Sequence, residues 1–357
     1  MTFNDSTVPG PAGANRIVGG LFGQECSLCS AGKPPCFLTG RELFLVNARS
    51  GIWLLIHRLK PSQVWIPSYL CQTILWAIDP GVTLRFYEMD YDLRAKSGQW
   101  VSEVNAGDLV IFIDYFGFPY DRELGARIKE RGAWVLEDAS QSLLSAQVGL
   151  LSDFVVYSIR KWIGVPDGGI LRYPETFPLE DVPLTPPPVA WWMKAFRARI
   201  LRRQFDEGHP TRDWFRLFRE TEDTAPVGPY AMSQLSRNVL ECCADYSTIG
   251  RSRIENYRRL SAGLTHYALF PMLEEGVVPL GFPVRIRRRD EVLQALFQSE
   301  IYPPVHWRIE GVVPPRYEES HRLASQIMTI PCDQRYAEDD MERIMRIFLQ
   351  HAGHPAW

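Results

Sequence analysis

The chain has 357 residues, more than one ordinary core supports, so two domains are expected. Apolar residues make up 46% and charged residues 23%, as in a globular protein, and a net charge of −3 gives no basis for a nucleic-acid surface. No run is long and apolar enough to span a membrane, and Met1 to Gly20 lacks the apolar stretch of a secretory signal, so a cytoplasmic protein is the expectation.

Residues 1–16 are rich in Pro, Gly, Ser and Asn and read as a loose tail. Cys26, Cys29 and Cys36 follow, but a structural zinc site takes four ligands and the next histidine is His57, so free thiols are expected. Seven scattered cysteines make no disulfide framework. Leu43 to Ile56 reads as a helix, Val64 to Pro67 as a strand, and Tyr69 to Ile78 as a helix stopped by Asp79-Pro80-Gly81. Thr83 to Met89 and Asp108 to Tyr115 read as strands, Arg122 to Arg131 as a helix, and Ala133 to Leu136, Phe154 to Ser158 and Gly169 to Tyr173 as further strands. Strands alternating with helices predict an α/β fold with a mostly parallel sheet sandwiched by helices. Pro174 to Pro188 is an excursion, and Ala190 to Glu222 reads as helix packed by one face. Asp223 to Gly228 is a turn, and Ser233 to Leu264 reads as one long helix. A smaller α+β region completes the chain. The division expected is a tail over 1–16, a large domain over 17–223 and a small C-terminal domain over 224–357.

Ligands of open α/β sheets sit beyond the C-terminal strand ends. There the strand over residues 134–136 runs into Glu137-Asp138-Ala139-Ser140-Gln141, an acid edge able to hold a protonated ring nitrogen. The strand over residues 154–157 runs into Ser158-Ile159-Arg160-Lys161, which offers a nucleophilic amine. Asn47 to Gly51 lies at a helix start, where free N–H groups favour a phosphate. Each feature alone is usually a cap or a surface group. Together they suit a phosphate, a ring nitrogen and an aldehyde, the three handles of pyridoxal 5'-phosphate.

From about Ile17 to about Phe348 the sequence resembles the DegT/DnrJ/EryC1/StrS family of fold-type-I aminotransferases. The likeness rests on ordered pieces: Ile17-Val18-Gly19-Gly20, Ile66-Pro67-Ser68-Tyr69, Phe86 to Asp90, Ile113 to Pro119, Leu136 to Gln141, Ser152-Asp153 through Ser158 and Lys161 to Asp167-Gly168-Gly169, and Ile330 to Tyr336. The resemblance implies that Lys161 carries the cofactor as a Schiff base and shuttles the reaction's proton. It implies that Asp138 pairs with the pyridine nitrogen and Gln141 bonds the phenolic oxygen. It gives the phosphate to Ser158, helped by the backbone of Ser50, Gly51 and Ile52. The implied reaction takes an amino group from an amino acid, glutamate by analogy, to a small-molecule carbonyl acceptor such as a nucleotide-linked keto-sugar. A homodimer and no membrane span are also implied.

The sequence departs from that pattern in four places. The gap from Ser158 to Lys161 is short, and Asp167 stands where Glu is usual. The aromatic expected over the ring falls at Cys71 or at Tyr69, with Tyr69 favoured. Gly228-Pro229-Tyr230-Ala231 replaces a Gly-x-Asn-Tyr-Arg run that reaches a neighbour's phosphate. His306 is a candidate for substrate contact or an ordinary loop histidine. Arg285, Arg287, Arg288 and Arg289 read as a solvated strand edge. The alternative to an enzyme is a non-catalytic regulatory or scaffold protein on the same fold.

Overall fold

A strand buried on both faces must be apolar throughout, and two runs of this chain are. They lie inside a sheet of seven strands. The structure, a computed structural model, describes residues 17–25, 35, 37–96, 98–177 and 179–355. The expected tail over 1–16 and the Cys26, Cys29 and Cys36 cluster lie outside the described residues. Among the described residues no group of His, Cys, Asp and Glu could hold a metal ion, and no helix is long and apolar enough to cross a membrane.

In chain order, β1 (Val18–Gly19) and β2 (Glu42–Leu45) precede α1 (Ala48–Leu59), β3 (Gln63–Pro67), β4 (Thr83–Tyr87) and β5 (Leu109–Ile113). Next come α2 (Arg122–Glu130), β6 (Trp134–Asp138), β7 (Phe154–Ser158) and β8 (Gly169–Arg172). The sheet order is β2-β8-β7-β6-β5-β3-β4. Strands β3 to β7 run parallel, and β8 runs against both of its neighbours. Within this sheet the wholly buried strands are β5 and β7. On one face of β7, Val156 meets α1 so closely that a Cβ on Gly51 would lie 3.0 Å from it. On the other face, Val155 and Tyr157 join Met232, Leu240 and Ile249 in a second core.

Beyond the sheet, α3 (Val189–Asp206) and α4 (Asp213–Asp223) pack on each other, with the Trp191 indole N–H donating to the Thr221 carbonyl at 3.0 Å. The chain then returns to the sheet edge, where Met232 N–H donates to the Phe44 carbonyl at 3.0 Å. After α5 (Gln234–Asn238) and α6 (Tyr246–Leu264) come β9 (Phe282–Arg285), α7 (Arg289–Gln298), β10 (Ile301–Tyr302), α8 (Glu318–Gln326), β11 (Ile327–Ile330) and α9 (Glu338–His351). Strands β9 and β11 pair antiparallel, and α6 and α7 pack on α9. Strand β1 pairs with β10, Val18 opposite Ile301, and so ties the early chain to the late one.

Four expectations are corrected. Residues 42–45 form an edge strand where Leu43 to Ile56 reads as helix; the helix starts at Ala48 because Asn47 is extended and its side chain caps Ser50 N–H at 3.0 Å. The expected helix from Tyr69 is a single 3-10 stretch over Gln72–Ala77, since Cys71 and Ile78 are both extended. The expected helix over Ser233 to Leu264 is interrupted by a π turn at Val239–Cys243 and an extended Ala244; Asp245 then caps α6 afresh. In the arginine run only Arg287 and Arg288 are exposed. Arg285 and Arg289 are buried, and Arg289 donates to the carbonyls of Ala324 and Ile327.

Candidate active site

Strands β6 and β7 lie side by side, with Asp138 opposite Val156, and both end at one edge of the sheet. A cavity of about 640 Å³ opens there. Its walls come from the strand ends, the start of α1, the segment Gly19 to Phe22, helices α3 and α4, and residues 303–307. A volume of this size suits a cofactor-sized ligand.

Asp138 closes β6 and is 7% exposed; its Oδ1 accepts from Ser140 N–H at 3.0 Å. Gln141 stands three residues on. Its Oε1 accepts from Phe116 N–H at 2.7 Å, which fixes the direction of the amide. That leaves Nε2, a buried donor without a partner, on a side chain that lines the cavity. Such a group is costly unless something completes it. Ser158 ends β7, and Lys161 follows in a 3-10 turn over Ile159–Lys161. The turn is held because Ile159 N–H donates to the Gly168 carbonyl and Trp162 N–H to the Ile159 carbonyl. Ser158 and Lys161 both line the cavity.

His306 enters from the late part of the chain. One of its ring nitrogens, Nδ1, pairs with Thr329 Oγ1 at 2.8 Å, and its ring lies 5.7 Å from that of Phe116. Burial first, and then the nearby Lys161 ammonium, push its imidazole down to about 3, so it is neutral at neutral pH.

Of the residues singled out from sequence, Asp138, Gln141, Ser158, Lys161, Ile52, Cys71 and His306 meet on this cavity. Ser50 and Gly51 do not line it. Ser50 N–H is taken by the Asn47 cap and its hydroxyl accepts from Gly228 N–H at 3.3 Å, while Gly51 is pressed on the sheet. Asn47, Ala48 and Arg49 form that wall instead. Of the two candidates near residue 70, Cys71 reaches the cavity. Tyr69 is fully buried, its hydroxyl donating to the His306 carbonyl and its ring 5.7 Å from Trp307.

Sequence reasoning misses a set of charges on the same cavity: the buried Arg49, Arg199 and Arg253 and the half-buried Glu222. Glu222 pairs with Arg160. Arg253 lies over the Trp162 ring at 4.4 Å and donates to the Leu280 carbonyl at 2.8 Å. One signal for Arg199 was available. Trp191, Ala195 and Ala198 share a helical face, and small residues at that spacing mark a face drawn close to its support.

No family model matches the chain, and no curated protein matches it either. Solved structures do. Spr1654 from Streptococcus pneumoniae, a candidate sugar aminotransferase, in its apo form aligns at a TM-score of 0.65 and 14% identity over 92% of this chain and 91% of that one. DesV of S. venezuelae, solved with a ketimine intermediate, aligns at 0.65 and 15% over 88% and 86%. A DegT DnrJ EryC1 StrS aminotransferase from Brucella abortus aligns at 0.59 and 15% over 87% and 86%. In each case the alignment covers most of both chains. The chain therefore has the fold of the DegT DnrJ EryC1 StrS aminotransferases.

Proposed function

We propose that this protein is a pyridoxal-phosphate-dependent aminotransferase. It moves an amino group from an amino acid, glutamate in the first instance, to a carbonyl acceptor of the keto-sugar class. Both the sequence resemblance and the sugar aminotransferases among its structural neighbours support that acceptor class. The observation that carries the reading is the buried, partnerless Nε2 of Gln141 on the same cavity as Asp138 and Lys161. A ring that carries both a phenolic oxygen and a basic nitrogen would complete both side chains.

When bound, pyridoxal phosphate supplies the aldehyde and the electron-accepting ring. The side chains do the rest. Asp138 is an acceptor at the sheet edge and would hold a proton on the ring nitrogen. Gln141 Nε2 would donate to the ring oxygen. Lys161 Nζ would be the nucleophile toward the aldehyde and the base that carries the proton. His306, neutral beside Lys161, adds no competing positive charge. A homodimer and a glutamate donor belong to the same proposal and rest on the resemblance.

The test is a visible absorbance spectrum of the purified chain with added pyridoxal phosphate, beside Lys161→Ala, before and after glutamate. The expected result is a band that needs Lys161 and bleaches with glutamate. A band that needs Lys161 but ignores glutamate removes the donor and keeps the cofactor. No band in folded protein sinks the enzyme reading.

A further inference from the structure

Buried guanidinium groups need counter-charge, and one corner of the cavity is short of it. Arg49, Arg160 and Arg199 line the cavity around Glu222, the carboxylate whose charge all three share. Asp167 also acts on Arg160 but is taken up by hydrogen bonds from Trp192, Ser233 and Ser236. Glu222 is committed to Arg160 in an ion pair. Arg49 is 7% exposed and its Nη1 is buried without a hydrogen-bond partner. Arg199 is 3% exposed, and one of its nitrogens reaches only a neutral carbonyl, that of Phe22, at 3.0 Å. Burial, and after it the charge of Arg160, hold both Arg49 and Arg199 below the ordinary arginine range, Arg199 down to about 9. The helix α1 begins at the same wall. The N–H groups of Ala48 and Arg49, in its first turn, have no intrahelical acceptor.

We propose that Arg49, Arg160 and Arg199, with the start of α1, form a binding site for a phosphate dianion, closed over by helices α3 and α4. Three guanidinium groups around one shared carboxylate leave an excess of positive charge, which the doubly charged phosphate monoester offsets more fully than a carboxylate. Arg49 comes from α1, Arg160 from the turn after β7, and Arg199 and Glu222 from the helical excursion. The excursion therefore supplies part of an anion site, a role its surface-like composition hides. The dianion has two chemical sources: the phosphate of the cofactor, an assignment that rests on the proposed function, or the phosphate of a phosphorylated substrate.

The experiment follows thermal unfolding of the full chain, freed of cofactor, with inorganic phosphate and with acetate at matched ionic strength. Phosphate is expected to raise the midpoint by about 2–5 °C well above its dissociation constant, and acetate is not. This comparison needs no variant. Arg49→Gln is expected to lose the phosphate response while melting no lower than the unaltered chain in phosphate-free buffer, because it removes a repelled charge. A merely structural Arg49 would melt lower and keep the response, which overturns the site. So does a lack of phosphate response in the unaltered chain.

Loading with pyridoxal phosphate then separates the sources. A loaded protein that ignores phosphate assigns the dianion to the cofactor. Arg49→Gln then binds pyridoxal phosphate about tenfold more weakly and binds pyridoxal, which lacks the phosphate, as before. A loaded protein that still responds assigns it to a substrate. A phosphate response without any Lys161-dependent band keeps the anion site and sinks the aminotransferase. The band without the response does the reverse.

Discussion

Gln141 is held at one end and open at the other. Its Oε1 satisfies the Phe116 N–H, and its Nε2 is buried without a partner on a side chain that lines the cavity. Replacing Gln141 with Leu strips the Phe116 N–H of its acceptor in a buried place. The expected loss is about 1–3 kcal/mol of stability, read by urea unfolding, together with weaker cofactor uptake. An unchanged urea midpoint would mean that the Phe116 bond contributes nothing. His306 carries a pH dependence of definite sign. Its ordinary value is 6.5, and burial with the Lys161 charge lowers it to about 3 in the fold. The unfolded chain therefore takes up this proton first as pH falls. The stability is complete above 6.5 and declines by up to about 1.4 kcal/mol per pH unit toward 3. Between pH 7.5 and pH 5 the chain should lose about 2 kcal/mol more than His306→Gln loses. Equal losses in the two proteins would show that the imidazole is protonated in the fold.

At the scale of elements, the start of α1 is set by a contact that no helix propensity describes. Strand β8 opens on Gly169, where an added Cβ would sit 2.1 Å from the Asn47 carbonyl carbon and 2.4 Å from Ala48 N. These are backbone atoms and cannot swing aside. Gly169→Ala should push α1 off β8, lower stability by about 1–3 kcal/mol and displace the Asn47 to Arg49 wall. Differential scanning calorimetry and cofactor titration measure both; a normal melt with normal uptake would contradict the packing. The glycine itself was legible as part of the Asp167-Gly168-Gly169 piece, but what it presses against was not. Buried strands such as β5 and β7 were easy to read, because two covered faces demand continuous apolar runs. Strand β2 was not, because only Leu45 of its four residues is buried and its periodicity merges with the helix that follows. The break before α6 left only Asp245 as a signal, a cap hidden inside a long helix-like pattern. Lys161, Asp138 and Gln141 were readable since they follow strand ends. Arg49 and Arg199 lie on separate helices, and only the packing of α3 brings them to one corner.

For the whole molecule, the segment from Gly19 to Phe22 does more than lead into the sheet. It lines the cavity and is gripped from two sides. From α3, Arg202 donates to the Gly19 carbonyl at 3.0 Å. From the late chain, Arg335 donates to the carbonyls of Leu21 and Gly20, and the Tyr336 hydroxyl accepts from Gly19 N–H at 2.6 Å. These bonds cross between β1, the helical excursion and the C-terminal part, so they couple the two ends of the chain through one wall of the site. The coupling explains why a two-residue strand persists: β1 has little pairing of its own and relies on buried side chains around it. Tyr336→Phe keeps the ring and removes the acceptor. It should cost about 1–3 kcal/mol and speed amide exchange at Gly19, because a buried N–H is left unpaired. Tyr267→Phe is the matched control. Its hydroxyl donates to the Gly353 carbonyl at 2.6 Å in an exposed position, so its loss should change stability by no more than about 0.5 kcal/mol. If the two variants lose stability equally, the grip on the early segment is no stronger than a surface bond. If only Tyr336→Phe is weakened, and cofactor uptake falls with it, the early strand is part of the wall that holds the ligand.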